Sequence, residues 1–177
     1  MKKEIQNCMT SELLFEAMAS DTAAIDKAHY MTEYERRLKM MGLSDGQIAK
    51  FRECDEKLIK DGCYIKTENL LATKPFITTD MNRDSIKTDY CTFSELVYLT
   101  DDANSAYVRD HGWLPEGAFA LVCKHAISCG ICEAAYTLRN RMKEIGLTET
   151  QEGIFVKNEC QIVKRLRWGY SNAPAWC

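Results

Sequence analysis

Four side chains that bind metals in other proteins are grouped in the most apolar stretch of the chain, Trp113–Gly146. They are spaced as Cys123-x-His125-x3-Cys129-x2-Cys132. Zinc prefers thiolate and imidazole ligands, and Cys-x2-Cys is a common half of a zinc site. On a continuous helix His125, Cys129 and Cys132 share one face, which makes them the candidate metal ligands. The sequence supplies no second Cys-x2-Cys and no His-x3-His pair, so we favour a helix core here and predict no cofactor.

The pair Cys129 and Cys132 also has the spacing of a thiol–disulfide site. Such a site needs a helix N-terminus after a buried strand, and it needs further strands and a proline beyond the cysteines. Pro174 is the last proline, and only Ala175–Cys177 follow it. The chain after Cys132 is therefore too short to complete a thioredoxin-like fold.

Catalytic signatures are missing from the sequence. It contains no Gly-x-Ser-x-Gly, no phosphate-binding glycine loop, no dinucleotide fingerprint and no His-Glu-x-x-His. Asp110-His111-Gly112-Trp113 joins a titratable pair to an aromatic side chain in a short loop, and loops of this kind often carry binding sites. A dyad of Cys63 or Cys91 with His111 remains an open alternative. We assign no catalytic residue and keep an enzyme or metal-binding protein as the second alternative.

Basic residues near the C-terminus suggest a surface for nucleic acid. Lys157, Lys164, Arg165 and Arg167 lie close to Trp168, and Arg139, Arg141 and Lys143 precede them. Cations beside an aromatic ring can hold single-stranded nucleic acid. The net charge is −3 and the pI about 5.7, so the whole chain has no basic field. The segment 43–50 resembles the start of a helix-turn-helix, but carboxylates follow where a basic recognition helix would be needed. A nucleic-acid-binding regulator is therefore the first alternative function.

Helices are expected to position these residues. The chain has 177 residues, 46% of them hydrophobic and 28% charged, which suits one globular domain. We predict a mainly α, single-domain bundle of six to eight helices over residues 1–170, followed by a tail at 171–177. A small β-hairpin within 63–92 remains open, because Phe76–Thr79 and Ile86–Cys91 have strand-like composition.

Start and stop signals define most of the helices. Thr10 and Asp21 are expected to cap the first two, and Ser44-x-x-Gln47 is a capping box for the third. Further boxes, Thr92-x-x-Glu95 and Thr148-x-x-Gln151, open later helices. Glycine ends three of them, at Gly42, Gly62 and Gly146. For the last element, residues 150–168, the pattern favours a helix over a hairpin.

One stretch of sequence occurs twice in similar form. Gly42-Leu43-Ser44-x-x-Gln47 is similar to Gly146-Leu147-Thr148-x-x-Gln151, and apolar helices flank both. A duplicated helical hairpin would explain the similarity. The alternative is that an efficient helix-stop, helix-start signal arose twice independently.

The leading functional hypothesis is an interaction protein of the adaptor or inhibitor type that binds a protein partner. The candidate binding residues are His111, Trp113, Arg165, Arg167 and Trp168, since tryptophan and arginine dominate binding hot spots. No signal peptide follows Met1, and no apolar run is long enough to span a membrane. Nine scattered cysteines are typical of reduced thiols, so we expect a cytoplasmic protein with no membrane contact.

Overall fold

The computed structural model describes residues 4–64, 88–100 and 133–168. About 80% of this part of the chain is helical and none of it forms a strand, which confirms the mainly α fold. Six α-helices lie within these ranges. They are α1 (Thr10–Met18), α2 (Ala24–Met40), α3 (Asp45–Lys60), α4 (residues 93–100), α5 (Glu133–Ile145) and α6 (Glu149–Trp168). Short 3-10 turns, Ile5–Asn7 and Thr88–Tyr90, precede α1 and α4.

The predicted helix ends and capping boxes are confirmed. Gly42, Gly62 and Gly146 have φ angles of 79°, 73° and 86°, a left-handed conformation that glycine adopts without steric cost. The amide of Gln47 donates to the Ser44 hydroxyl and the side chain of Gln47 accepts from the Ser44 amide. The boxes at 92–95 and 148–151 form the same two bonds.

The first two helix starts differ from the prediction. Met9, and not Thr10, occupies the N-cap of α1, where the Glu12 carboxylate accepts from the Met9 amide. Thr10 is the first residue of the helix, and its hydrogen bonds go to a distant carboxylate. The N-cap of α2 is Ala23, so Asp21 caps nothing. Local sequence suggested caps at both places, but contacts with other helices decide these starts.

The structure describes part of the two regions for which the sequence left helix and strand open. Residues 88–90 form a 3-10 turn, so the strand expected at Ile86–Cys91 is wrong there. Residues 65–87, with the other expected strand, lie outside the described residues. The last element is helical throughout Glu149–Trp168, as favoured. The tail 171–177 also lies outside the described residues.

Three phenylalanines from different helices form the centre of the core. The Phe51 ring stacks on Phe93 with centroids 4.0 Å apart, and Phe155 meets both rings edge-on at 5.3 Å and 6.4 Å. All three side chains are buried. The three rings therefore join α3, α4 and α6 at the centre of the core.

The described helices fall into two similar sets. We call 4–64, with α1 to α3, the first module, and 88–100 with 133–168, which hold α4 to α6, the second module. In both, a 3-10 turn leads into a helix, and two longer helices follow with a left-handed glycine between them. The shared order raises the question of how the modules meet.

Candidate functional site

The two glycine corners bind each other reciprocally. The Gln47 side-chain amide donates to the Gly146 carbonyl at 2.8 Å, and the Gln151 amide donates to the Gly42 carbonyl at 3.0 Å. The repeated motif therefore marks two helical hairpins, α2–α3 and α5–α6, whose corners lie side by side. An isolated stop-and-start signal does not require such an exchange.

A second correspondence, which the sequence analysis missed, relates the segments before each hairpin. Cys8-x-x-Ser11-Glu12-Leu13 matches Cys91-x-x-Ser94-Glu95-Leu96. The signal was present in the sequence. The distance along the chain from this segment to the hairpin differs between the two modules. A repeat of one fixed length therefore cannot align both the leading segments and the hairpins.

An arginine of each hairpin holds the segment that leads into the first helix of its own module. The Arg37 guanidinium donates to the carbonyls of Cys8 and Ile5, at 2.8 Å and 3.0 Å. The Arg141 guanidinium donates to the carbonyls of Cys91 and Thr88. Arg37 and Arg141 occupy matching positions before the glycine corners, so the same contact is made twice.

Between the modules lies a buried polar cluster, which we call the central cluster: Thr10, Ser11, Asp55, Ser94 and Glu159. The Ser11 amide donates to the Ser94 hydroxyl at 2.8 Å, and the Ser94 amide donates to the Ser11 hydroxyl at 3.1 Å. Each hydroxyl in turn donates to a carboxylate at 2.6 Å, Ser11 to Asp55 and Ser94 to Glu159. All five residues are at most 2% exposed.

The two carboxylates of the central cluster reach helix N-termini of the opposite module. Asp55 in α3 accepts from the Phe93 amide at 3.0 Å, where α4 begins. Glu159 in α6 accepts from the Thr10 amide at 3.0 Å, where α1 begins, and also from the Thr10 hydroxyl. The first amides of a helix have no partner within the helix, and negative charge is favoured there.

Desolvation dominates the ionisation of Asp55. Burial raises the pKa of Asp55 to about 7, although the hydrogen bonds from Ser11 and Phe93 act in the opposite direction. A serine beside a carboxylate resembles part of a hydrolase site, but such sites also need an imidazole and access for substrate. His29 is the histidine within the described ranges, and it is exposed on α2. The geometry of the cluster is that of a structural network.

The predicted site residues are described only in part. His111 and Trp113, and the candidate metal ligands His125, Cys129 and Cys132, lie outside the described residues. The backbones of Arg167 and Trp168 belong to α6, while their side chains lie outside what is described. Arg165 is described, and its guanidinium donates to the Gln6 carbonyl at 2.9 Å. In the ranges that are described, no cluster of His, Cys, Asp or Glu is suited to a metal ion.

Several basic residues that were proposed to bind nucleic acid instead make contacts within the protein. Arg141 binds backbone carbonyls, and Arg165 binds the N-terminal turn. Arg139 lies 3.6 Å from the carboxylates of both Glu149 and Glu152. Lys143 and Lys157 are exposed. Among those basic residues whose side chains are described, the three arginines therefore make contacts within the protein, and only the two lysines are open to solvent.

Cys91 is a poor nucleophile in this environment. Burial raises its pKa to about 12, with the nearby Glu95 carboxylate acting in the same direction. At neutral pH the residue is a thiol, and the thiolate is the reactive form. The position weakens the suggested dyad of Cys91 with His111.

Two tyrosines on the second module are exposed. Tyr90 is 55% exposed and Tyr136 is 53% exposed. Each lies within two residues of one of the Thr88 and Thr137 hydroxyls, which are 2.9 Å apart, so both tyrosines lie in the region where the 3-10 turn meets α5. We call this the tyrosine face.

The matching face of the first module is polar. The residue that corresponds to Tyr90 is Asn7, counted from the paired Cys8 and Cys91. The residue that corresponds to Tyr136, counted from the paired Arg37 and Arg141, is Thr32, which is exposed. The aromatic character of this face is therefore specific to the second module. Sequence reasoning missed both tyrosines because the assignment depends on knowing which residues correspond.

Comparison with protein-family models, with curated proteins and with solved structures finds no match for this chain. Within the described ranges, every helix is too short or too polar to cross a lipid bilayer.

Proposed function

We propose that the chain is a helical bundle of the adaptor or inhibitor type, and that it binds a protein partner through the tyrosine face. The observation that carries the proposal is the pair Tyr90 and Tyr136, each more than half exposed on the tyrosine face. Tyrosine is enriched in protein interfaces, because its ring is large and rigid and its hydroxyl forms directed hydrogen bonds.

The comparison of the modules supports this choice of surface. Both modules use the same arginine contact, the same glycine corner and the same buried carboxylate to build their frame. The frame alone does not require tyrosine on this face, since Asn7 and Thr32 occupy the matching places in the first module. A residue that the frame does not need, and that exposes an aromatic ring, is better explained by binding than by stability.

The partner that fits is a protein surface with apolar recesses for two rings and hydrogen-bond groups at their ends. Asp89 is exposed beside Tyr90, and Lys143 and Glu144 are exposed further along α5. This mixture of charges favours no polyanion. Together with the internal use of Arg139, Arg141 and Arg165, it makes nucleic acid the weaker alternative.

Site-specific photo-crosslinking tests the proposal in cells that make the protein. A benzophenone amino acid is placed at position 90 or 136, and at position 40 as control. Met40 is 68% exposed on α2, in the first module. We expect one protein adduct from both 90 and 136, and none of that protein from 40. The absence of a shared adduct, or the same adduct from position 40, would contradict the proposal.

The affinity of the purified adduct protein then provides the quantitative test. Tyr90→Asn with Tyr136→Thr gives the second module the residues of the first, while Met40→Gln is the matched control. We expect the double variant to weaken binding at least tenfold, which is about 1.4 kcal/mol, and the control to change it less than twofold. Unchanged affinity in the double variant would assign the contact to another surface.

A further inference from the structure

The similarity between the modules extends beyond the helix signals. Identical residues stand at matching positions of the two leading segments and of the two hairpins, and the serine, glutamate, arginine and glutamine pairs form matching hydrogen bonds. The identical pairs are Cys8 and Cys91, Ser11 and Ser94, Glu12 and Glu95, Leu13 and Leu96, Arg37 and Arg141, Gly42 and Gly146, Gln47 and Gln151, and Phe51 and Phe155. Asp55 and Glu159 match as carboxylates. An independent origin of one stop-and-start signal leaves the arginine, serine and carboxylate pairs unexplained.

We propose that the modules are two copies of one helical unit, and that Asp55 and Glu159 form a two-way latch between them. In this latch each module supplies the carboxylate that completes the first helix of the other. Opening the latch on one side therefore opens it on the other. The inference depends on the central cluster and does not rest on the proposed binding function.

The coupling comes from the shared serine pair. Ser11 and Ser94 exchange two amide-to-hydroxyl bonds, and each hydroxyl also donates to one of the carboxylates. If Asp55 leaves, the Ser11 hydroxyl loses its acceptor and turns, which removes the acceptor of the Ser94 amide. The disturbance thereby reaches Glu159 through Ser94. Buried polar networks of this kind fail together, because a donor left without a partner in the core is costly.

The latch does not depend on one protonation state of Asp55. Its Oδ1 accepts from the Phe93 amide, while Oδ2 faces the Ser11 hydroxyl. A proton on Oδ2 leaves the bond to Phe93 in place. The other charged groups that act on Asp55 are Glu95 and Arg141, from α4 and α5. Ionisation of Asp55 therefore changes the strength of the latch but does not break it.

Amide hydrogen exchange on the full chain tests the latch. The variants are Asp55→Leu and Glu159→Met, which keep the approximate size of each side chain and remove its hydrogen-bond acceptors, and Glu53→Gln is a control at an exposed carboxylate on α3. The exchange rates are measured for two segments, residues 10–14 and 93–97. We expect each latch variant to raise the rates in both segments by about tenfold or more, and the control to change them less than twofold.

Exchange that rises only in the segment whose own cap was changed would overturn the latch, because the caps would then act independently. Thermal unfolding adds a second readout. We expect each single variant to lower the Tm by about 5–10 °C, and the double variant to lower it no further than the larger single effect. Additive losses of Tm would also overturn the proposal. If either variant fails to fold, Ser11→Ala and Ser94→Ala give the same comparison with a smaller perturbation.

Discussion

The two modules build the same frame but present different faces. Residues that hold the frame match between them, as with Arg37 and Arg141 or Gln47 and Gln151. Residues on the outer face do not match, since Asn7 and Thr32 correspond to Tyr90 and Tyr136. The comparison of the two modules thus distinguishes residues that stabilise the fold, which match, from residues on the outer face, which differ.

The modules also differ in the chain between their first two helices. In the first module α1 and α2 are separated by residues 19–23 alone. In the second, residues 101–132 lie between α4 and α5. This longer connection contains His111, Trp113 and the Cys123–Cys132 motif. Counted back from Arg37 and Arg141, Cys129 and Cys132 correspond to Ile25 and Ala28. His111, Trp113, Cys123 and His125 therefore lie in the part of the sequence that has no counterpart in the first module.

The largest expected effect is the loss of stability when Phe51 or Phe155 is removed from the core. These two residues match between the modules but pack differently against Phe93. Phe51 stacks on Phe93, whereas Phe155 makes only edge contacts with it. Phe51→Ala and Phe155→Ala are each expected to lower the free energy of unfolding by about 3–5 kcal/mol. The loss of the stacked pair should make Phe51→Ala the worse by roughly 0.5–1 kcal/mol. Urea denaturation measures both, with the exposed Ile25→Ala as control. Equal losses would mean that the stacking contributes nothing beyond burial.

The next effect is a dependence of stability on pH that comes from Asp55. The pKa of Asp55 is raised by burial from 3.8 to about 7, so the folded chain holds this proton more tightly than the unfolded chain. The resulting stabilisation is present at low pH and is lost as the pH rises through about 7. Between pH 5 and pH 8 the wild type should lose up to about 2–3 kcal/mol on this account.

Urea denaturation at pH 5 and pH 8 measures this loss as the difference between wild type and Asp55→Asn. Subtracting the variant removes other groups, such as Glu152, whose pKa burial also raises. In Asp55→Asn the pH dependence should flatten. A wild type that gains stability relative to the variant as the pH rises would show that the hydrogen bonds to Asp55 outweigh its desolvation.

The smallest effect tests the symmetry of the glycine corners. Gln47→Ala and Gln151→Ala each remove one bond to the opposite corner and half of a capping box. Each is expected to lower the free energy of unfolding by about 0.5–1.5 kcal/mol, and by similar amounts. Thermal denaturation compares them with Lys50→Ala, an exposed change on α3. A clear difference between the two would show that the corners are not equivalent in energy.

Much of the frame could be predicted from local sequence. The three glycine stops and the capping boxes at 44–47, 92–95 and 148–151 are short-range signals, and all of them were correct. The helical character of 150–168 followed from the spacing of Phe155, Ile162 and Val163, which are buried. These features depend on neighbours along the chain, so no tertiary information is needed.

The features that failed depend on distant partners. No local signal indicates the burial of Asp55, whose oxygens are satisfied by Ser11 and Phe93. Thr10 was expected to cap its own helix, but it binds Glu159 instead. On α2, the apolar residues Ala24 and Ala28 are exposed, while Tyr30 is buried. Hydrophobic periodicity identifies the buried face of a helix. It does not predict the polar residues that are buried there through contacts with the other module.

The exchange of carboxylates also affects the order in which the chain acquires structure during synthesis. Thr10 and its acceptor Glu159 are 149 residues apart, and Ser11 and Ser94 are 83 apart. A ribosome releases the chain from the N-terminus, so α1 emerges long before the residue that completes its first turn. The first module must wait for the second, and the N-terminal helix should reach its final stability only after Glu159 has been synthesised and has folded into α6.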